Sequence, residues 1–204
     1  MAEVTALYKK GSKSDRGNYR PVSLTSVCCK ILEQLIRDDL YMAYLLGNDL
    51  ISNRQYGFIK GRSTSLQLLQ ILDKWIDCLE NGGQIDAVYT DFEKAFDKVP
   101  HNRLISKLSS FGISKTVIKW IQDFLTARKF RVRVNLSHSM WSDVTSGIPQ
   151  PQGSVLGPIL FLLFMNDIIE CCIPHSDIYL FADEMLSCSD TLYKTVTKLH
   201  YKKV

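Results

Sequence analysis

With 204 residues, 46% of them hydrophobic and 23% charged, the chain has enough apolar material for one sizeable core and too much for a disordered segment. A net charge of +4 admits a nucleic-acid partner without requiring one. The longest apolar run, 155–165, contains Gly157-Pro158 and is too short to span a bilayer, and residues 1–10 hold no signal-peptide core. The expectation is an intracellular protein of nucleus or cytoplasm with no membrane association. The cysteines, Cys28-Cys29, Cys78, Cys171-Cys172 and Cys188, have neither zinc-site spacing nor a disulfide-framework pattern, which favours a reducing compartment.

In chain order, the segment up to about Tyr19 is polar and reads as a loop or hairpin. Ser26 is placed to cap a helix whose apolar stripe runs through Ile31, Leu32, Leu35, Ile36 and Leu40, with Gly47-Asn48 after its end. A basic, glycine-containing turn over 55–64 leads into a second amphipathic helix, 65–80. A strand is predicted over 85–92, then short helices over 102–108 and 115–125. Residues 130–135 alternate as a half-exposed strand with Arg131 and Arg133 outward, and 141–145 is its expected partner. A buried helix over 153–169 and a strand over 177–182 follow. These elements predict an α+β fold, an antiparallel sheet backed by helices.

Two acidic clusters carry most of the functional information. Asp91 ends the run Val88-Tyr89-Thr90, and Asp183-Glu184 ends Tyr179-Leu180-Phe181-Ala182. Carboxylates at the tips of apolar strands either face solvent or require a cation. The cation that suits all-oxygen ligands is Mg²⁺ or Mn²⁺, and the matching chemistry is phosphoryl transfer. The Gly- and Pro-rich stretch 146–158 is suited to close approach of a nucleotide or template backbone, or is simply a loop entering a helix. Tyr56-Gly57-Phe58 with Lys60 and Arg62 suits phosphate contacts, or is a solvated capping turn. The histidines, His101, His138, His175 and His200, lie in unrelated contexts, which argues against Ser-His or Cys-His hydrolysis.

Taken in order, these segments resemble the reverse transcriptase of non-LTR (LINE-type) retrotransposons. Asn18-Tyr19-Arg20-Pro21-Val22-Ser23-Leu24 is similar to the family's first fingers motif, and Gln55-Tyr56-Gly57-Phe58 through Gly61-Arg62-Ser63-Thr64 to the second. Residues 91–97 resemble motif A, Gln152-Gly153-Ser154-Val155-Leu156-Gly157-Pro158 motif B, and Phe181-Ala182-Asp183-Glu184 motif C. The resemblance implies a right-hand polymerase: a fingers-like region over 1–84, a palm over 85–184 with an antiparallel sheet, and no thumb. It implies an RNA-directed DNA polymerase acting on an RNA template, a DNA primer and deoxynucleoside triphosphates. Asp91, Asp183 and Glu184 would be its catalytic metal ligands for two Mg²⁺ or Mn²⁺ ions. Phe92, Phe96, Arg20 (with Lys10 or Lys13), Gln152 and Gly153 would contact the nucleotide, Phe96 by excluding a ribose 2′-hydroxyl. Lys60, Arg62, Arg131 and Arg133 would contact the nucleic-acid backbone.

The chain departs from the family pattern in three places. Motif C ends in Asp-Glu where the family has two aspartates. The loop before motif B reads Pro149-Gln150-Pro151-Gln152 where the family has a single Pro-Gln. Residues 185–204 carry no recognisable family sequence and are expected to be a degenerate tail of a truncated copy. These departures predict impaired activity, with a catalytically inactive nucleic-acid-binding remnant as the alternative. Acidic spacing alone would also suit a metal-dependent nuclease, a reading the flanking motifs disfavour.

Overall fold

The computed structural model of the chain describes residues 2–126, 128–135, 137–170 and 176–191. Ala2–Tyr8 (β1) and Tyr19–Leu24 (β2) form the expected hairpin, with Tyr8 opposite Tyr19. Its polar loop is held by Asp15, which accepts from the Gly17 amide at 2.8 Å, and by the Tyr19 hydroxyl, which donates to the Lys13 carbonyl. Ser26 caps helix α1, Val27–Arg37, by accepting from the Cys29 amide. The expected continuation to Leu40 is present as a π-helical segment, Asp38–Leu45. Ser63 caps α2, Thr64–Glu80, in the same way.

After β3, Gln84–Asp91, come α3, His101–Ser110, and α4, Lys115–Leu125. The arginine-bearing strand β4, Lys129–Val134, departs from expectation. Residues 141–145 contribute only β6, Ser142–Asp143, to its first two positions, and β5, Ser137–His138, pairs with its end. Its long partner is β1, parallel to it, with Glu3 in register with Arg131. The order β2-β1-β4-β5, with β6 also on β4, is therefore mixed rather than antiparallel. A charge pair bridges the two strands at this register. The Arg131 guanidinium hydrogen-bonds the Glu3 carboxylate across the strands and holds that carboxyl below its ordinary value.

Helix α5 runs Gly157–Met165, four residues shorter at its start than predicted. Pro158 lies in its first turn, where no amide donor is needed, so residues 153–156 form a turn ahead of it. Apolar side chains cover α5 on all sides, and it is the centre of the main core with Leu104, Leu108, Ile121 and Leu125 from α3 and α4.

The second sheet has the order β3-β8-β7, all antiparallel, with β7 at Asp177–Phe181 and β8 at Glu184–Thr191. Residues 185–191, expected to be a degenerate tail, are instead its middle strand. Leu186 and Cys188 alternate onto the face that packs with Tyr179, Ile71 and Trp75, while Met185 joins Ile178, Leu180 and Ile169 on the other. The rest of the expected tail, 192–204, lies outside the described residues, as do Cys171, Cys172, His175 and His200. Among the described residues, no helix is long and apolar enough to cross a membrane.

Strand β7 is tied to the elements before the sheet by Asp177, which ion-pairs with Arg54 at 2.6 Å and Lys74 at 2.7 Å. Partial burial opposes ionisation of this carboxyl. The hydrogen bonds from Lys74 and Arg54 outweigh it, and the group titrates below its ordinary 3.8. A depressed folded-state acid contributes stability above its unfolded pKa, and that contribution drains away as pH falls through the lower folded value. We expect the urea midpoint to fall more steeply in the wild type than in Asp177→Asn between about pH 5 and pH 2. Parallel curves for the two proteins would show that the triad stabilises nothing.

Candidate active site

The two acidic clusters meet at one end of the three-stranded sheet. Asp91 is the last residue of β3 and Glu184 the first of β8, and the antiparallel register sets them directly opposite each other. Asp183 is in the two-residue turn Ala182-Asp183 that joins β7 to β8. Like charges facing each other across a ladder are destabilising. Among the described residues none of the three carboxylates has an ion-pair partner. Their hard oxygen donors fit a divalent cation such as Mg²⁺. Among the described residues, however, no three acidic, His or Cys side chains converge into a compact ligand group. The backbone thus pairs Asp91 with Glu184 and leaves Asp183 beside them on the turn.

Around this end, residues from distant parts of the chain are joined by backbone contacts. The turn after Asp91 is zipped to the loop before α5. Phe96 and Val99 carbonyls accept from the Ile148 and Gly147 amides, both at 2.9 Å, and Gln150 donates to the Asp97 carboxylate at 3.2 Å. Gln150, the first of the tandem Pro-Gln pairs, is thereby a tie to the Asp91 segment, while Gln152 is exposed. Gly153 lies against β2. Its carbonyl accepts from the Thr25 hydroxyl at 2.8 Å, and a Cβ there would collide with the Ser23 carbonyl, so only glycine permits the approach. Arg20 is exposed on β2, three residues before that contact. Lys13 lies over the Tyr8 ring at 5.8 Å.

Phe96, with 8% of its surface exposed, is stacked on Phe161 of α5 at 4.3 Å and meets Phe58 edge-on at 6.3 Å. Phe92 packs half-buried against the same core. The basic residues divide into two kinds. Arg62 donates to the Ser52 and Gln55 carbonyls, and Arg131 is held by Glu3 and lies 4.9 Å from the Trp141 ring centre. Lys60 and Arg133 are exposed.

Two buried residues support the site's framework: Glu33, which stands in no motif, and Gln55, which opens the second motif but is not expected from its sequence to point inward. Glu33 on α1 is completely buried. Its carboxylate accepts from the Ser154 hydroxyl and from the amides of Val155 and Leu156, at 2.8 and 3.1 Å, at the start of α5. Burial, followed by the hydrogen bond to Glu33, pushes the Cys29 thiol up, and burial lowers Arg128, whose charge faces Glu33. Gln55, also buried, lies against the turn carrying Asp183.

Residues 8–204 match the family described as Reverse transcriptase (RNA-dependent DNA polymerase). The chain belongs to this family. It is 33% identical over 181 residues to the probable RNA-directed DNA polymerase from transposon BS of Drosophila melanogaster, covering 82% of this chain and 18% of that protein. With the probable polymerase from transposon X-element it shares 28% identity, over 90% of this chain and 19% of the relative. With the polymerase of mobile element jockey, both from the same fly, it shares 30% over 82% and 18%. The chain thus spans about a fifth of these relatives and is a reverse transcriptase domain of the non-LTR retrotransposon kind. Among solved structures, apo telomerase from Candida tropicalis superposes with a TM-score of 0.63 at 10% identity, over 91% of this chain and 41% of that one. Telomerase from Candida albicans in complex with a fragment of telomeric RNA gives 0.55 at 10% identity, over 93% and 38%. Both support the fold.

Removing the Glu33 carboxylate strands the donors at the start of α5 in the core. Glu33→Ala is expected to lower the unfolding free energy by roughly 3 kcal/mol or more, and Ser154→Ala by about 1 kcal/mol. Urea denaturation measures both, and a Glu33→Ala cost no larger than that of Ser154→Ala would contradict the capping role.

Proposed function

We propose that this domain catalyses nucleotidyl transfer to a DNA 3′-hydroxyl on an RNA template, with the β3-β8-β7 sheet as a polymerase palm and the β1–β2 hairpin and α1–α2 region as its fingers. The observation that carries the reading is the pairing of Asp91 with Glu184 at the sheet end, Asp183 adjacent, in a chain of the reverse transcriptase family. Asp91 and Asp183, with Glu184, would hold two Mg²⁺ ions. Bound there, the cations lower the pKa of the primer hydroxyl and stabilise the leaving pyrophosphate.

The chain's own groups do the positioning. Arg20 pairs with triphosphate oxygens, and the backbone at Phe92 holds part of the triphosphate. Gln152 and Gly153 border the incoming base. Phe96 meets the sugar through the small part of its ring left outside the core, so its discrimination against a 2′-hydroxyl comes from a side chain that cannot yield, being stacked on Phe161. Lys60 and Arg133 contact phosphates: both are exposed, and Arg133 makes only a long 3.4 Å donation to the Asn135 carbonyl, unlike the tightly held Arg62 and Arg131. Glu184 keeps the charge of the family's second aspartate but extends it by one methylene, and misplacement of about 1 Å in a preorganised site costs on the order of 10²-fold in rate.

Primer extension on an RNA template with Mg²⁺ tests this. Extension is expected to vanish in Asp91→Ala and to rise in Glu184→Asp, by up to about 10²-fold. Salt-sensitive RNA binding without extension in any of the three proteins would instead identify an inactive nucleic-acid-binding remnant. In the binding assay, Lys60→Ala and Arg133→Ala are each expected to reduce the slope of log affinity against log salt by about 1, and Arg62→Ala to leave that slope unchanged.

A further inference from the structure

The second motif is expected from its sequence to face phosphate or template, yet its first residue points inward. Gln55 is 3% exposed, and its side-chain carbonyl accepts two backbone amides, Gly57 at 2.8 Å and Ala182 at 3.1 Å. The segment around it meets β7 through a single parallel bridge between Gln55 and Leu180. Leu180 donates to the Arg54 carbonyl at 3.0 Å, and Tyr56 donates to the Leu180 carbonyl at 2.8 Å. Gly57 closes the contact, because a Cβ there would collide with the Ala182 amide nitrogen. Arg62 fixes the segment from behind by donating to the Gln55 carbonyl.

Ala182 needs such a hold. It has φ +58 in a two-residue turn, a left-handed conformation that a residue with a Cβ adopts at a cost. Its amide is the last one before Asp183. Register pins Glu184 to Asp91, so the tilt of this turn decides where the Asp183 carboxylate lies relative to the other two. Glutamine is suited to the task. It supplies an acceptor with two lone pairs, and it adds no further negative charge beside three carboxylates.

We infer that Gln55 is a positioning residue, which clamps the Ala182 amide and thereby sets the Asp183 carboxylate for metal binding; the metal-binding half of this rests on the polymerase reading above. Gln55→Met, similar in size without the acceptor, and Gln55→Glu, which keeps it, separate the role in the full chain. In Gln55→Met, amide exchange at Ala182 followed by NMR is expected to rise about tenfold while the Leu186 and Cys188 amides stay within about twofold. Mn²⁺ affinity, from paramagnetic relaxation of water, is expected to fall about tenfold in Gln55→Met and not to fall in Gln55→Glu, which also keeps Ala182 protected. Unchanged exchange at Ala182, or an equal rise throughout the sheet, would overturn the clamp. If Gln55→Met does not fold, Gln55→Glu decides, since loss of Ala182 protection in it also overturns the proposal. A wild type that binds no Mn²⁺ refutes the metal-site reading, whereas the exchange at Ala182 judges the clamp separately.

Discussion

Burying α5 on every side is the constraint from which most of this structure follows. The helix brings no polar side chain with which to satisfy its first amides, and its start lies in the core rather than in water. Each donor left unsatisfied there would cost about 1–3 kcal/mol. The Gly157 amide donates to the Ser154 hydroxyl at 3.0 Å, and a carboxylate from α1 holds that hydroxyl and the turn ahead of the helix. Glu33 accepts at Ser154, Val155 and Leu156, and its negative charge complements the positive end of the helix dipole. This fixes α1, and the β1–β2 hairpin just before it, against the loop ahead of α5.

Once that loop is held, the remaining parts have little freedom. The loop binds the turn after Asp91 through Phe96, Asp97 and Val99, and Gly153 admits β2 to within contact. The turn after Asp91 in turn anchors the end of β3, whose register with β8 sets Asp91 opposite Glu184. The repulsion between those carboxylates is offset elsewhere, by the apolar faces on both sides of β7 and β8. A site that concentrates negative charge therefore rests on a framework of side-chain to backbone contacts, with Glu33, Gln55 and Thr25 each holding a distant stretch of main chain.

The local chemistry of the chain was legible. Ser26 and Ser63 cap the helices they precede, and the unbroken apolar run 178–181 foretells a strand covered on both faces. Long-range partners were not. Nothing in the alternation of 129–134 says that its main neighbour is β1, at the far end of the chain, because a strand's period reveals its faces and not its partner. Residues 185–191 carry no motif that reads by eye, yet the family match runs through them and Leu186 and Cys188 keep the spacing that a middle strand needs. The basic residues show the same limit. All four are exposed-looking cations in sequence, and only folding reveals that carbonyls and Glu3 have claimed Arg62 and Arg131 while Lys60 and Arg133 stay exposed.

Sequence by itself determined the family and the chemistry of the acidic clusters, because these depend on residue type and order. Tertiary structure decided the geometry. It set Asp91 opposite Glu184 rather than Asp183, sent Phe96 into the core against Phe161, and made Glu33, and Gln55 of the second motif, the supports of the turn before α5 and of the Asp183 turn. The physical reason is that a buried acceptor acquires its meaning from the amides it satisfies, and those amides come from parts of the chain more than a hundred residues away.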